Sequence, residues 1–130
     1  MNMKLTEVNR NGYLAFEVPE NARLALAKLL PPKYPDFIGH HITEQFGVPP
    51  SEQSRVAKIK VVGHAEEDGL EALVVEVDGE LHRPDGKTYH ITWSLDRSKG
   101  KKPAMSNALI QQGFETVPVY QFSAPLKFFQ

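Results

Sequence analysis

The chain reads Tyr-His-Ile-Thr-Trp at residues 89–93 and nearly repeats this in His-His-Ile-Thr-Glu at residues 40–44. In an extended strand the side chains alternate between two faces, so residues two apart project to the same side. His41 therefore shares a face with Thr43, and His90 shares one with Thr92, while the isoleucine between them faces the core. Two such strands facing each other would present two imidazoles and two hydroxyls on one surface.

Further β-type patterns surround the two motif segments. Alternating or β-rich runs predict strands at residues 12–18, 40–46, 55–64, 70–77, 88–95 and 114–129. The turn signal at 66–69 predicts a hairpin, and the turn signal at 83–87 leads directly into the second motif strand. Pro118 and Pro125 predict that the last strand lies at an edge of the sheet or is bent.

Only two segments have a helical pattern. Asn21 is a suitable N-cap for a helix at 22–30, which Pro31 would end. Ser106 can cap a second helix that runs to residue 112 and closes at Gly113. Few helices and several tight turns between strands predict an α+β fold with a mainly antiparallel sheet and two short helices.

Length and composition limit the class of protein. A chain of 130 residues supports one domain, over residues 1–130, with a core of its own. The net charge of −1 gives no strong attraction to duplex nucleic acid or to an anionic membrane. The absence of cysteine excludes disulfides and thiolate chemistry. The first ten residues contain no apolar signal segment, so we expect a cytoplasmic monomer.

The two motifs, His41-Ile42-Thr43 and His90-Ile91-Thr92, lie on predicted strands of a small chain without cysteine. In this the chain resembles the two-histidine (2H) phosphoesterase superfamily, which includes cyclic phosphodiesterases, RNA-repair phosphodiesterases and phage enzymes that degrade cyclic oligonucleotide signals. The resemblance implies two pseudo-symmetric lobes, each contributing one motif strand to a central cleft. It also implies hydrolysis of a 2′,3′-cyclic phosphate or a 2′-linked phosphodiester without a metal or cofactor. Glu44 departs from the family pattern, in which the first motif usually has an apolar residue at this position.

Phosphodiester hydrolysis requires the kinds of side chain that the motifs contain. A base must deprotonate the attacking water and an acid must protonate the leaving alkoxide, and histidine can do either near neutral pH. We expect His41 and His90 to be this pair, with Thr43 and Thr92 donating to the non-bridging oxygens. The sequence does not distinguish the base from the acid. The expected substrate is a small nucleotide or an RNA end.

Other candidate residues are predicted to have structural roles or are left open. Strand alternation directs His40 away from His41, and we expect it to be structural. His64 and His82 lie beside turn signals and are expected at the surface. Three aromatic residues have two possible roles, stacking on a nucleobase or packing in the core: Tyr34, Phe37 and Phe46. The basic run 99–102 is expected to be a solvated loop.

Two other kinds of function remain as alternatives. A metal site is disfavoured because adjacent His40 and His41 would point apart and no compact ligand spacing is present. A non-catalytic module that binds a nucleotide or a protein is the second alternative. Within the enzyme hypothesis, a phage-type hydrolase of cyclic oligonucleotide signals is a close variant.

Overall fold

A computed structural model describes residues 11–130, and the polar start of the chain at residues 1–10 lies outside the described residues. The strands in this part are β1 (Gly12–Glu17), β2 (Asp36–Phe37), β3 (His41–Val48), β4 (Val56–Glu67), β5 (Leu70–Val77), β6 (His90–Leu95) and β7 (Glu115–Phe129). The helices are α1 (Glu20–Leu29) and α2 (Ser106–Gln111), with two 3₁₀ turns, Arg97–Lys99 and Pro103–Met105, before α2. No helix within residues 11–130 is long and apolar enough to cross a lipid bilayer.

The strands form an antiparallel barrel. Six of them are hydrogen-bonded in the order β6-β3-β1-β7-β4-β5, and pairing between β5 and β6 closes the ring. The short strand β2 also pairs with β6, along the same edge of β6 as β3. This architecture confirms the predicted α+β class, with a mainly antiparallel sheet and two short helices.

The barrel interior holds the main hydrophobic core. Its fully buried members include both motif isoleucines, Ile42 and Ile91, together with Phe16, Leu73 and Trp93. Leu26 of α1 packs into the same cluster. Both isoleucines therefore face the core, as their strand positions predict.

The second helix, α2, covers part of the outer surface of the barrel. Its Leu109 and Ile110 pack with Ala72 and Val74 of β5 and with Leu95 of β6. Strand β5 is therefore buried on both faces, which accounts for its almost continuous apolar sequence. The hairpin between β4 and β5 turns at Asp68 and Gly69, both with positive φ, as the turn signal predicts.

Of the two alternatives predicted for the last strand, an edge position or a bend, the structure contradicts the edge position. β7 is not an edge strand, because it pairs with β4 along most of its length and with β1 at its end. Pro118 lies where the register between β4 and β7 shifts, and Pro125 immediately precedes Leu126, the first residue to pair with β1. The two prolines thus occupy the positions at which a missing backbone N–H disturbs the pairing least.

Two element ends also differ from prediction. The first helix begins at Glu20 after Pro19, and Asn21 lies within it instead of capping it. The first motif strand does not stop at Gly47 but continues to Val48, because Gly47 adopts a positive φ of 74° within the strand.

Candidate functional site

The two motif strands lie side by side in the barrel. β3 and β6 pair antiparallel, with Ile42 directly opposite Ile91. Continuing this register by one residue places His41 opposite Thr92 and Thr43 opposite His90. Because the isoleucines face the interior, the histidines and threonines project from the outer face, and all four line one pocket of about 360 Å³. The structure therefore brings together all four residues that the motifs single out.

The same register explains the unusual residue Glu44. Glu44 and Tyr89 are also opposite each other, and the Tyr89 hydroxyl donates a hydrogen bond to the Glu44 carboxylate. The Arg55 guanidinium lies 3.7 Å from the same carboxylate. Burial, with the nearby Glu44, raises the pKa of Tyr89, so its hydroxyl remains a donor. A tyrosine and an arginine thus provide polar partners for this largely buried carboxylate.

His90 is held in one tautomer by the backbone. Its Nδ1 lies 2.9 Å from the carbonyl oxygen of Thr88. A carbonyl can only accept, so Nδ1 carries the hydrogen, and Nε2 of the neutral ring carries a lone pair. Burial lowers the pKa of His90; the Thr88 hydrogen bond opposes this effect and the positive charge of Arg83 adds to it. His90 is therefore poised to accept a proton at Nε2.

His41 is the more strongly perturbed of the two histidines. Burial, followed by the charges of His40 and His90, lowers its pKa from 6.5 to about 4. Two aromatic rings flank it, with centroid distances of 5.5 Å to Tyr13 and 6.2 Å to Phe129. At neutral pH the His41 ring in the free protein is therefore neutral.

The two threonines differ in their partners. The Thr92 hydroxyl lies 2.9 Å from the Ser106 hydroxyl and donates to the Pro103 carbonyl at 3.4 Å. Thr43 is also nearly buried, with 8% of its surface exposed, but within residues 11–130 no protein group hydrogen-bonds its hydroxyl. Helix α2 thus holds one hydroxyl in place, while the other is free to bond a ligand.

The prediction that His40 points away from His41 is wrong. β3 begins only at His41, so strand alternation does not apply to the residue before it. Gly39, with a φ of +54°, turns the chain there, and His40 joins the lining of the same pocket. The Nδ1 atoms of His40 and His41 are 2.9 Å apart. The glycine directly before His40 is a sequence signal for such a turn.

The sequence reading also missed Arg83, which lines the pocket from the turn before the second motif. Its side chain is almost fully buried and makes two hydrogen bonds to Asp85, at 3.0 and 2.7 Å. The guanidinium carbon lies 5.5 Å from the centre of the Phe46 ring. An arginine two residues before an aspartate in a tight turn fits such a local pair, but only the folded chain places it beside His90.

The three aromatic candidates have separate locations. Phe46 lines the pocket and is 58% exposed. Phe37 instead packs edge-on against Trp93, with the ring centres 4.9 Å apart. The Tyr34 hydroxyl donates to Glu66 on a different part of the surface. Tyr13, which the sequence reading did not select, lines the pocket next to Phe46.

His64, which was expected at the surface, is largely buried, with 15% of its side chain exposed. Its Nε2 lies 2.7 Å from a carboxylate oxygen of Glu71, which is 1% exposed. The other oxygen of Glu71 accepts hydrogen bonds from the Ser94 hydroxyl and the Lys33 backbone N–H. In contrast, His82 is exposed. No group of His, Asp or Glu side chains in the described part of the chain is arranged to hold a metal ion.

Comparisons of the chain with models of protein families, with curated proteins and with solved structures gave no match. The function is therefore argued from the geometry of the pocket.

Proposed function

We propose that this chain is a metal-independent phosphodiesterase of the two-histidine type. Its substrate would be a nucleotide or an RNA end that carries a 2′,3′-cyclic phosphate or a 2′-linked phosphodiester. The proposal rests on one observation: His41, Thr43, His90 and Thr92 line the same pocket, on two strands paired at Ile42 and Ile91. This pairing relates the two motifs by a local two-fold axis, so a phosphate on that axis would have one histidine and one threonine on either side.

The proposed reaction is an in-line displacement at phosphorus. One histidine takes a proton from water as the water oxygen bonds to phosphorus, and the other donates a proton to the oxygen that leaves. The Thr43 hydroxyl, which has no other partner in residues 11–130, would donate to a non-bridging oxygen as negative charge increases there. Thr92, oriented by Ser106, would occupy the matching position on the other strand.

In this proposal the two lobes of the family correspond to two halves of a single barrel. One half centres on β3 beside β1, and the other centres on β6 beside β5. The pocket above the seam between β3 and β6 would be the central cleft. Because all four motif residues come from one chain, the site needs no second copy, which supports a monomer. A cytoplasmic location is consistent with a chain that has no cysteine.

The size and lining of the pocket support a small substrate. Its volume of about 360 Å³ is near the lower end of the range of roughly 300–1,000 Å³ that small-ligand pockets occupy. The rings of Tyr13 and Phe46, 5.6 Å apart, form one wall and offer an apolar surface to a base or a sugar. Arg83 and Asn107 add polar groups to the lining.

The test is hydrolysis of three substrates in excess EDTA: a 2′,3′-cyclic nucleotide, a 2′–5′ dinucleotide and a cyclic dinucleotide. We expect chelator-resistant cleavage of at least one of them, reduced by about 10²–10⁴-fold in His41→Ala and in His90→Ala. His82→Ala is the matched control, because His82 is exposed and lies outside the pocket lining, and it should retain full activity.

The outcomes separate the alternatives. Preference for the cyclic dinucleotide would indicate the hydrolase of cyclic oligonucleotide signals. If folded wild-type protein cleaves none of the three, the enzyme proposal is wrong and a binding module becomes the better interpretation. Cleavage that persists in both histidine variants would exclude the two-histidine mechanism.

A further inference from the structure

A series of polar contacts leads from Lys127 through Glu17 and His40 to His41. The Lys127 ammonium lies 2.6 Å from one oxygen of Glu17, and the other oxygen is 3.8 Å from Nε2 of His40. His40 Nδ1 is then 2.9 Å from His41 Nδ1. The side chain of His40 is about half exposed, so it can exchange protons with solvent.

This geometry determines the tautomer of His41 whenever His40 is protonated. An imidazolium has a hydrogen on both nitrogens and can only donate. His40 then directs one N–H towards the Glu17 carboxylate and donates the other to Nδ1 of His41. With Nδ1 accepting, the neutral His41 ring must carry its own hydrogen on Nε2. His90 has the opposite tautomer, because its Nδ1–H is bonded to the Thr88 carbonyl.

We propose that Glu17 and His40 form a proton relay behind His41, which makes His41 the general acid and His90 the general base of the site. This inference rests on the proposed phosphodiesterase function and assigns the two roles that the symmetric motifs leave open. His40 and Glu17 act through His41 and are positioning and proton-supplying residues.

The proton transfers balance in a single turnover. His90 Nε2 takes a proton from the attacking water as the water oxygen bonds to phosphorus. As the bond from phosphorus to the leaving oxygen breaks, that oxygen takes the Nε2 proton of His41, and His41 Nδ1 takes the Nδ1 proton of His40. These transfers leave His40 neutral and His41 with its hydrogen on Nδ1 and a bare Nε2. The site is reset when His41 Nε2 takes a proton from solvent and the Nδ1 proton returns to His40, while His90 releases to solvent the proton taken from water.

The electrostatics of the pocket favour a relay over direct donation by a doubly protonated His41. The pKa of His41, at about 4, is too low for its ring to hold a second proton at neutral pH. His40, in contrast, pairs with a carboxylate that stays ionised, because the hydrogen bond from Lys127 lowers the pKa of Glu17. The relay lets His41 pass a proton without storing one.

The first experiment measures the tautomers directly and does not depend on activity. Long-range proton–nitrogen correlation spectra of protein labelled with ¹⁵N-histidine would be recorded as the pH is lowered until the spectra show a hydrogen on both ring nitrogens of His40. His41→Gln and His90→Gln assign the signals. We expect His41 to carry its hydrogen on Nε2 and His90 on Nδ1. A hydrogen on Nδ1 of His41 would overturn the relay.

The second experiment uses the leaving group. A 2′,3′-cyclic nucleotide expels an alkoxide that needs a proton, whereas a p-nitrophenyl phosphodiester of the same nucleoside expels a phenolate that does not. We expect His40→Ala and Glu17→Gln to lower kcat/KM for the cyclic substrate by about 10²-fold and to change it less than about threefold for the aryl ester. His90→Ala should lose both activities. The controls are His82→Ala and Glu20→Gln, which remove an exposed histidine and an exposed carboxylate elsewhere.

The possible failures can be told apart. If wild type cleaves the cyclic substrate and His40→Ala does so equally well, the relay is wrong and the phosphodiesterase proposal stands. Equal losses on both substrates would mean that His40 only maintains the structure of the site, which also overturns the relay. If folded wild type cleaves neither substrate, both proposals fail together.

Discussion

Gly39, which precedes the first motif, is the backbone position on which the placement of His40 depends. Its φ is +54°, where an L-residue with a side chain is disfavoured by about 1–2 kcal/mol. A Cβ at this position would also lie 2.9 Å from both Phe37 and Trp93. Trp93 is fully buried, so relieving this overlap should cost a further 1–3 kcal/mol or so. We therefore expect Gly39→Ala to lower the free energy of unfolding by about 2–5 kcal/mol.

The assay is equilibrium unfolding in urea, followed by the fluorescence of Trp93, which is the single tryptophan of the chain. Gly79→Ala is the matched control, because Gly79 also has a positive φ, of 86°, but a Cβ there would meet nothing within 4 Å. We expect Gly79→Ala to lower the free energy of unfolding only by the backbone contribution, about 1–2 kcal/mol. The reasoning is refuted if Gly39→Ala is as stable as wild type or no less stable than Gly79→Ala.

Three further predictions concern protonation and buried charge. Because burial lowers the pKa of His90, the acid limb of the pH profile of kcat/KM should lie below pH 6.5, and a limb above that value would contradict its role as base. His41 is protonated below pH 6.5 in the unfolded chain but only near pH 4 in the folded chain. The free energy of unfolding should therefore fall as the pH drops from 6.5 to about 4, by up to about 1.4 kcal/mol per pH unit. Urea unfolding at several pH values should show a shallower fall in His41→Asn. Glu71→Ala should destabilise the fold by about 3–5 kcal/mol, since it leaves His64 and the Ser94 hydroxyl without their buried partner, and a loss below 1 kcal/mol in urea unfolding would contradict this role.

Local patterns in the sequence were sufficient to predict the elements that carry the motifs. Alternation along each strand places Ile42 and Ile91 inside, and so fixes the face on which the histidines and threonines lie. The turn at Asp68 and Gly69 likewise depends only on residues next to each other in the chain. Such features depend on backbone geometry within a few residues.

Closure of the barrel could not be predicted in the same way. It depends on β7 reaching back to β1 and on β5 meeting β6, and these pairings join distant parts of the chain. Proline always lacks a backbone N–H, which favours an edge strand. Pro125, however, lies in a strand with two neighbours, at the point where the neighbouring strand β1 has just ended. The local signal leaves an edge strand and a bent strand as alternatives, because the second partner strand cannot be inferred from the sequence.

The histidines that were misplaced illustrate a related limit. His64 follows the strand alternation of β4, and its burial depends on Glu71 of the adjacent strand entering the same space. The sequence predicts the wrong face for His40 because the predicted strand begins one residue before β3 does. Alternation gives the side of a residue only within the strand, so a strand start misplaced by one residue gives His40 an orientation that the backbone does not impose. At this position, the error concealed a contact with His41.

Two identical motifs on paired strands would by themselves give a site with two equivalent histidines. The neighbours of each motif remove that equivalence. At the second motif, the Thr88 carbonyl fixes the hydrogen of His90 on Nδ1, and Arg83 disfavours further protonation. At the first motif, His40 approaches the corresponding nitrogen of His41 and brings a carboxylate behind it. Acid–base chemistry requires one imidazole that accepts a proton and one that delivers it. The direction of the proposed reaction therefore depends on residues outside the repeated triplets, in the turn and loop that lead into each motif strand.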